Sequence, residues 1–276
     1  MNKPIVIYHG NCADGFSSAW VFFQKFGNNV DYHAGVYGVD PPDCTNRDVY
    51  LVDFSYTLDV VEMLLGEAKS ITLIDHHKTA IERLLPLMRD GKINHHVSME
   101  RSGAMLAWEF CFPNKKAPEL LKYVEDRDLW RFDLYKSREV SAALFSYPYD
   151  FETWTGLMYA PSLEKMMIAG EAIERKHHKD IGELLDVCTV SKRIGGYDVL
   201  VANMPYTLSS DGASKLGEGM PFGACYFDKA EGRVYSLRST ETGIDVAKIA
   251  EIYGGGGHMH ASGFTIKWDD KESGLI

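Results

Sequence analysis

The sequence is short of cysteine, lacks any long apolar run and carries no surplus of positive charge. Its five cysteines (Cys12, Cys44, Cys111, Cys188 and Cys225) are odd in number and scattered, and none forms a CxxC pair. Neither a disulfide framework nor a cysteine zinc site is indicated, and free thiols in a reducing compartment are expected. No apolar stretch approaches the roughly 20 residues that a bilayer-crossing helix needs. The opening Met1-Asn2-Lys3-Pro4-Ile5 leads straight into a strand-like run without signal-peptide features. A cytoplasmic chain with no membrane partner is the expectation. The formal charge is −10 and the isoelectric point about 5.5. Proteins that grip many phosphates of long DNA or RNA are normally basic, so a long nucleic acid is a poor partner here. A local metal or arginine site on an acidic protein can still hold a small anion.

What is present reads as an ordinary globular protein, with 276 residues, 45% hydrophobic and 25% charged, enough for one large or two modest domains. The first half alternates apolar strands with amphipathic helices. Pro4-Ile5-Val6-Ile7-Tyr8 reads as a buried strand ending at His9, Asp48 to Val52 as one ending at Asp53, and Ser70 to Ile74 as one ending at Asp75. Helical patterns cover residues 14–26, 57–68, 79–88, 102–112 and 117–127. Such alternation implies an α/β fold, a parallel sheet with helices on both faces. Ligands of open α/β sheets bind beyond the carboxyl ends of strands, so His9, Asp53 and Asp75 are expected to converge. A long helical pattern from Leu163 to Leu185 is expected as a connector. Beyond it short strands at 199–202, 224–227, 234–237 and 263–266, with a helix over 244–253, suggest a second, smaller α/β domain. The expected division is 1–150, a connector over 151–188, and 189–276.

The residues able to carry chemistry cluster at those strand ends. Asp75-His76-His77 sets a carboxylate and two imidazoles side by side, a donor set suited to Mn²⁺ or a similar ion. Taken alone the tripeptide is weak, since surface loops produce many like it. His9-Gly10-Asn11-Cys12-Ala13-Asp14-Gly15 follows the first strand and opens the first helix, so His9 and Asp14 can face one site. Asp53 ends another strand, although a helix cap would read the same way. Asp126 and Asp128, in Val124-Glu125-Asp126-Arg127-Asp128-Leu129-Trp130, close the acidic set, or else form a charged helix end. Gly254 to Gly257 would make either a backbone nest for phosphate or a flexible turn, and it lacks the Gly-Lys-Ser/Thr ending of a P-loop.

In their order and strand context these segments resemble the DHH phosphoesterases, a family that includes RecJ-type exonucleases, nanoRNases and cyclic-dinucleotide phosphodiesterases. The resemblance spans nearly the whole chain. Ile252-Tyr253-Gly254-Gly255-Gly256-Gly257-His258-Met259-His260-Ala261-Ser262-Gly263 resembles the signature of the DHH-associated domain, and Ser236-Leu237-Arg238-Ser239 its arginine strand. The resemblance implies two metal ions, with Mn²⁺ favoured and Mg²⁺ or Co²⁺ as substitutes. His9 and Asp53 would hold one; Asp14, Asp53, His76 and Asp126 the other. Asp75 would orient the neighbouring imidazole, His77 would contact the phosphate, and Arg238 with Gly255, Gly256, Gly257 and His258 would bind the far end of the substrate. One departure stands out: Cys12 takes the place of an acid, and His9 lies one residue nearer Asp14 than is usual. The first metal would then be completed by Cys12, Asn11 or water, or held weakly. The implied activity is hydrolysis of short oligoribonucleotides to mononucleotides in a cleft between two domains, with a homodimer as a compatible assembly. A cyclic or linear dinucleotide phosphodiesterase, a 3′-phosphoadenosine 5′-phosphate phosphatase, and a catalytically weakened nucleotide sensor are the alternatives.

Overall fold

In a computed structural model, which describes residues 2–270, the chain divides into two compact units, Met1–Glu174 and Arg175–Ile276. The first unit runs β1 (Ile5–His9), α1 (Ala13–Phe26), β2 (Asp31–Gly35), β3 (Asp48–Val52), α2 (Leu58–Glu67), β4 (Ser70–Asp75), α3 (Lys78–Arg89) and β5 (Asn94–Val97). Helices α4 (Gly103–Cys111), α5 (Glu119–Asp128), α6 (Ser137–Phe145) and α7 (Phe151–Met158) complete it. The division falls within α8 (Glu164–Cys188), so the segment expected as a connector contributes to both units.

All strand pairs of the first sheet are parallel, in the order β2-β1-β3-β4-β5. The apolar runs explain why the central strands form. A strand covered on both faces must bury successive side chains on opposite sides. Ile5 and Ile7 join Leu51, Leu73 and the α2–α3 residues Val61, Leu64 and Leu84 on one face. Val6, Val52 and Ile74 join Phe16, Trp20 and Phe22 of α1 and Ala104 and Ala107 of α4 on the other. The strand order has a consequence for ligands. The chain leaves β1 toward β2 on one side and continues to β3 on the other, so a topological switch point opens between the carboxyl ends of β1 and β3. His9 and Asp53 stand at those two ends.

The second unit carries β6 (Thr189–Ile194), β7 (Tyr197–Asn203), α9 (Tyr206–Leu216), β8 (Gly223–Asp228), β9 (Gly232–Arg238), α10 (Val246–Ile252), β10 (Gly256–His258) and β11 (Ala261–Lys267). Its sheet is mixed, in the order β10-β11-β9-β8-β7-β6, with only β7 and β8 parallel among the described pairs. One face packs Val199, Val201, Leu237 and Phe264 against Val246 and Ile249 of α10. The other sets Ala202 and Cys225 against Ala213 and Leu216 of α9 and Ile181 of α8. The glycine cluster is partly ladder rather than wholly turn, because Gly256 and Gly257 pair with Gly263 and Ser262. Gly257 holds φ +143°, and a β-carbon there would meet the Ala261 carbonyl oxygen at 2.6 Å. Among the described residues no helix is long and apolar enough to cross a membrane.

Candidate metal centre

The ends of β1, β3 and β4 deliver His9, Asp53 and Asp75 in one row. Tyr8 pairs with Val52, and Val52 with Ile74, so the next residue of each strand lies alongside. Asp53 leaves the sheet in the left-handed region, at φ 53°, while its N–H still donates to the Ile74 carbonyl oxygen at 2.9 Å. A non-glycine residue held there is uncommon and costs energy, and such residues gather at functional sites. The turn presents the two oxygens of the Asp53 carboxylate to different neighbours. Oδ1 lies 3.1 Å from His76 Nε2 and 3.8 Å from His77 Nδ1. Oδ2 lies 3.6 Å from His9 Nδ1 and 3.8 Å from Cys12 Sγ.

Two helices supply the remaining carboxylates. Asp14, in the first turn of α1, brings Oδ2 to 3.8 Å from His76 Nε2. The same carboxylate accepts the N–H groups of Gly103 at 2.7 Å and Ala104 at 3.1 Å, so it also satisfies the amino end of α4. Asp128, the last residue of α5, places Oδ2 at 3.4 Å from His76 Nε2. Asp75 stands one step back: Oδ1 accepts from the N–H of His76 at 2.7 Å, the N–H of His77 at 3.1 Å, and Nδ1 of His77 at 2.7 Å. Those bonds fix the His77 ring and hold the His76 backbone in place.

Of the residues expected from the sequence, the structure brings His9, Asp14, Asp53, Asp75, His76 and His77 together, and it sets Asp128 rather than Asp126 beside them. Asp126 points elsewhere, its carboxylate accepting the N–H groups of Asp133 at 3.0 Å and Leu134 at 3.3 Å. Residues two apart on a helix face about 200° away from each other, so only one of the pair can reach His76, and it is Asp128. Cys12 does lie with His9 and Asp53, as the departure in the first motif suggested. Ser102 and Gly103 were not anticipated. A β-carbon on Gly103 would sit 2.5 Å from Asp53 Cβ and 2.8 Å from its Oδ1. Only the bare Cα of glycine lets α4 approach this closely. The sequence signal is Ser102, whose Oγ accepts the Met105 N–H and caps the helix just where Gly103 begins it. Gly103→Ala is expected to lower Mn²⁺ affinity at least about tenfold and to cost about 1–3 kcal/mol of stability, because the methyl group has no room. Calorimetric titration with Mn²⁺ and a thermal melt check this; unchanged affinity would mean that Asp53 can move without consequence.

The electrostatics fit a cation. Burial pushes the Asp14 carboxyl well up, and Asp128 and Asp53 push it further. Burial and Asp53 likewise raise Asp128, although the charge of His76 partly offsets this. Burial and the same carboxylates raise the Cys12 thiol. Burial would raise Asp53 too, but the His76 hydrogen bond and the nearby His9 and His77 imidazoles win and hold it below the usual carboxylate range. Burial would lower His76, yet Asp53, Asp128 and Asp14 together raise it. The carboxylates thus repel one another so strongly that protons are drawn in, and a divalent cation relieves that repulsion more effectively than a proton. His9 Nδ1 is buried and makes no hydrogen bond, consistent with a ligand position. Among the donor groups that could hold a cation are His9-Cys12-Asp53 and Asp14-His76-Asp128, with an Asp53 oxygen 3.1 Å from His76 of the second. Carboxylate and imidazole donors of this kind suit Mn²⁺, Mg²⁺ or Co²⁺.

No family model matches the chain. It is 29% identical to the uncharacterized protein R106 of Acanthamoeba polyphaga mimivirus, an alignment covering 95% of the chain and 67% of that protein. It is 27% identical to the oligoribonuclease NrnB of Bacillus subtilis, over 94% of the chain and 72% of the relative. Among solved structures, RecJ from Thermus thermophilus in complex with Mn²⁺ shares the fold, with a TM-score of 0.50 and 16% identity, over 96% of this chain and 50% of RecJ. Three of the segments that resemble this family, around His9, Asp53 and Asp75, meet at one site of the first unit. In these motifs and in this fold the chain resembles the DHH phosphoesterases. The residues that this resemblance names for the far end of a substrate lie in the second unit. Arg238 Nε and Nη2 donate to Ser210 Oγ at 3.2 and 2.9 Å, and Nη1 to the Leu237 carbonyl oxygen at 2.8 Å. His258 pairs with Ala261, and Ala261 with Arg238, so His258 and Arg238 share a sheet face across one small residue.

Proposed function

We propose that the chain is a divalent-metal-dependent phosphodiesterase that hydrolyses short oligoribonucleotides to mononucleotides. The observation that carries this reading is the Asp53 carboxylate, with one oxygen toward His9 and Cys12 and the other toward His76 and His77. Such a carboxylate can join two ligand sets, His9 with Cys12 and His76 with Asp14 and Asp128. A pair of bound divalent cations would lower the pKa of a water and offset charge on the phosphoryl oxygens. The chain's own groups hold the substrate. Asp75 locks the His77 ring by accepting from Nδ1 at 2.7 Å, leaving the ring positioned to meet a phosphate oxygen. Manganese is the favoured ion, on the donor chemistry and on the Mn²⁺ of RecJ, which shares the fold.

The preference for short chains rests on two supports. The net charge of −10 repels long polyanions. Arg238 and His258, on one face of the second sheet with the Gly255–Gly257 backbone beside them, supply donors for a terminal phosphate. NrnB, named as an oligoribonuclease, supports the same substrate class.

The test is a panel of di- to decaribonucleotides incubated with the protein and Mn²⁺, with products separated by chromatography. Mononucleotides should accumulate fastest from the shortest substrates. Excess chelator should abolish the reaction, and Mn²⁺ should restore it far better than Ca²⁺, which is larger and more loosely coordinated. Full activity in chelator would sink the metal reading. Binding without turnover at any length would make the protein a sensor instead.

A further inference from the structure

The loop that follows Asp128 is built in an unusual way. Two bulky aromatic residues in it, Trp130 and Phe132, hold positive φ, at 57° and 55°. Aromatic side chains avoid that region, and the chain stays there only where its surroundings over-determine it. Here the surroundings are Asp126. Its carbonyl oxygen accepts the N–H groups of Arg131 at 2.9 Å and Phe132 at 3.4 Å. Its carboxylate accepts those of Asp133 and Leu134. One buried residue therefore ties down four consecutive N–H groups and holds the loop in its strained shape.

That shape gathers two arginines over the rings. The Arg127 guanidinium lies 4.2 Å from the centroid of Trp130 and 5.9 Å from that of Phe145. The Arg138 guanidinium lies 3.7 Å from Phe132 and 5.7 Å from Trp130. Trp130 and Phe132 meet edge to face, with centroids 5.1 Å apart. Phe145 is 48% exposed. A guanidinium lying over a ring keeps its N–H edge in its own plane, where it can meet phosphate oxygens while its flat face extends the stacking surface. Rings and arginine planes set together are how proteins hold unpaired bases. Arg127 and Trp130 of the cluster flank Asp128, whose carboxylate is 3.4 Å from His76 Nε2.

We infer that Arg127, Trp130, Phe132 and Arg138 form a base-stacking platform for the nucleotide adjoining the scissile phosphate, held in place by Asp126. The inference rests on the proposed phosphodiesterase reading for its role in turnover, but the platform binds a nucleobase whether or not turnover follows. It gives the first unit a substrate contact of its own, and it gives Asp126 a positioning role in place of metal ligation.

Two measurements separate the platform from the reaction. In the first, kinetics are compared for diadenylate and for an analogue lacking the base beside the cleaved bond. Trp130→Ala should raise KM for diadenylate about tenfold, as the loss of one stacked base does, with kcat little changed. The abasic analogue should show the same KM in both proteins, and Trp130→Phe should recover most of the loss. Because the two substrates are measured in one sample, any partly unfolded fraction affects them equally. In the second, calorimetry follows adenosine 5′-monophosphate and ribose 5-phosphate on the wild type and on Trp130→Ala. The wild type should prefer the base-bearing ligand and the variant should lose that preference. Equal loss for both ligands, or no loss for either, would overturn the platform and leave the cluster as loop packing. A wild type that binds the base selectively yet hydrolyses nothing would instead overturn the oligoribonuclease reading alone.

Discussion

Asp53→Asn is expected to lower the proposed hydrolysis of oligoribonucleotides by at least about a thousandfold while the protein remains folded. The fold should survive because asparagine tolerates the left-handed φ of 53° and keeps a carbonyl oxygen facing the same neighbours. What is lost is the charge. Removing one preorganised electrostatic partner of a transition state costs on the order of 10²–10³ in rate. Asp53 serves His9 and Cys12 with one oxygen and His76 and His77 with the other, so its neutralisation weakens two ligand sets at once. Rates at saturating Mn²⁺, Mn²⁺ calorimetry and a thermal melt give the three readings required. A folded variant working within tenfold of the wild type would remove Asp53 from the centre of the mechanism. Asp53→Ala should be as inactive and also less stable, since alanine pays the full strain of that backbone conformation.

What could be seen in the sequence follows from where each strand sits. Ile5-Val6-Ile7, Val49 to Val52 and Ile71 to Ile74 are covered on both faces, so they read as apolar runs and were legible with their terminal ligands. The outer strands were not. β2 is Asp31-Tyr32-His33-Ala34-Gly35 and β5 is Asn94-His95-His96-Val97, polar segments at the two edges of the sheet that carry little period-2 signal. Without them the strand order, and so the switch point between β1 and β3, could not be derived. In the second unit β6 went unseen for the same reason, as an edge strand with Lys192 and Arg193 within it.

The cluster of candidate ligands was legible wherever a member ends a strand, and blurred where it comes from a helix. His9, Asp53, Asp75 and His76 are each placed by a strand terminus. Gly103 acts through space on a residue fifty positions earlier, and its own neighbourhood shows only a serine cap. The choice between Asp126 and Asp128 depends on which side of α5 faces the sheet. Both positions lie at the carboxyl end of an amphipathic helix, and the family pattern named Asp126, whereas the structure sets Asp128 beside His76.

That choice gives the second large effect, a pair of substitutions with opposite signatures. Asp128→Asn should weaken Mn²⁺ binding by more than the roughly 10–100-fold carried by a supporting partner, because Asp128 itself offers an oxygen 3.4 Å from His76 Nε2. Hydrolysis should fall by about 10²–10³, and the melting temperature in chelator should hold or rise, since one repelling carboxylate is gone. Asp126→Ala should do the reverse. It strips the acceptor from the N–H groups of Asp133 and Leu134, which costs about 2 kcal/mol for partly buried donors left unpaired. Mn²⁺ affinity should stay within a few-fold of the wild type, because the Asp126 carboxylate is engaged with the N–H groups of Asp133 and Leu134. The loss in activity should appear chiefly in KM, through the loosened loop that carries Trp130 and Phe132. If Asp126→Ala abolishes Mn²⁺ binding and Asp128→Asn leaves it intact, α5 turns its other face to the metals, and the placement of both carboxylates described above is wrong.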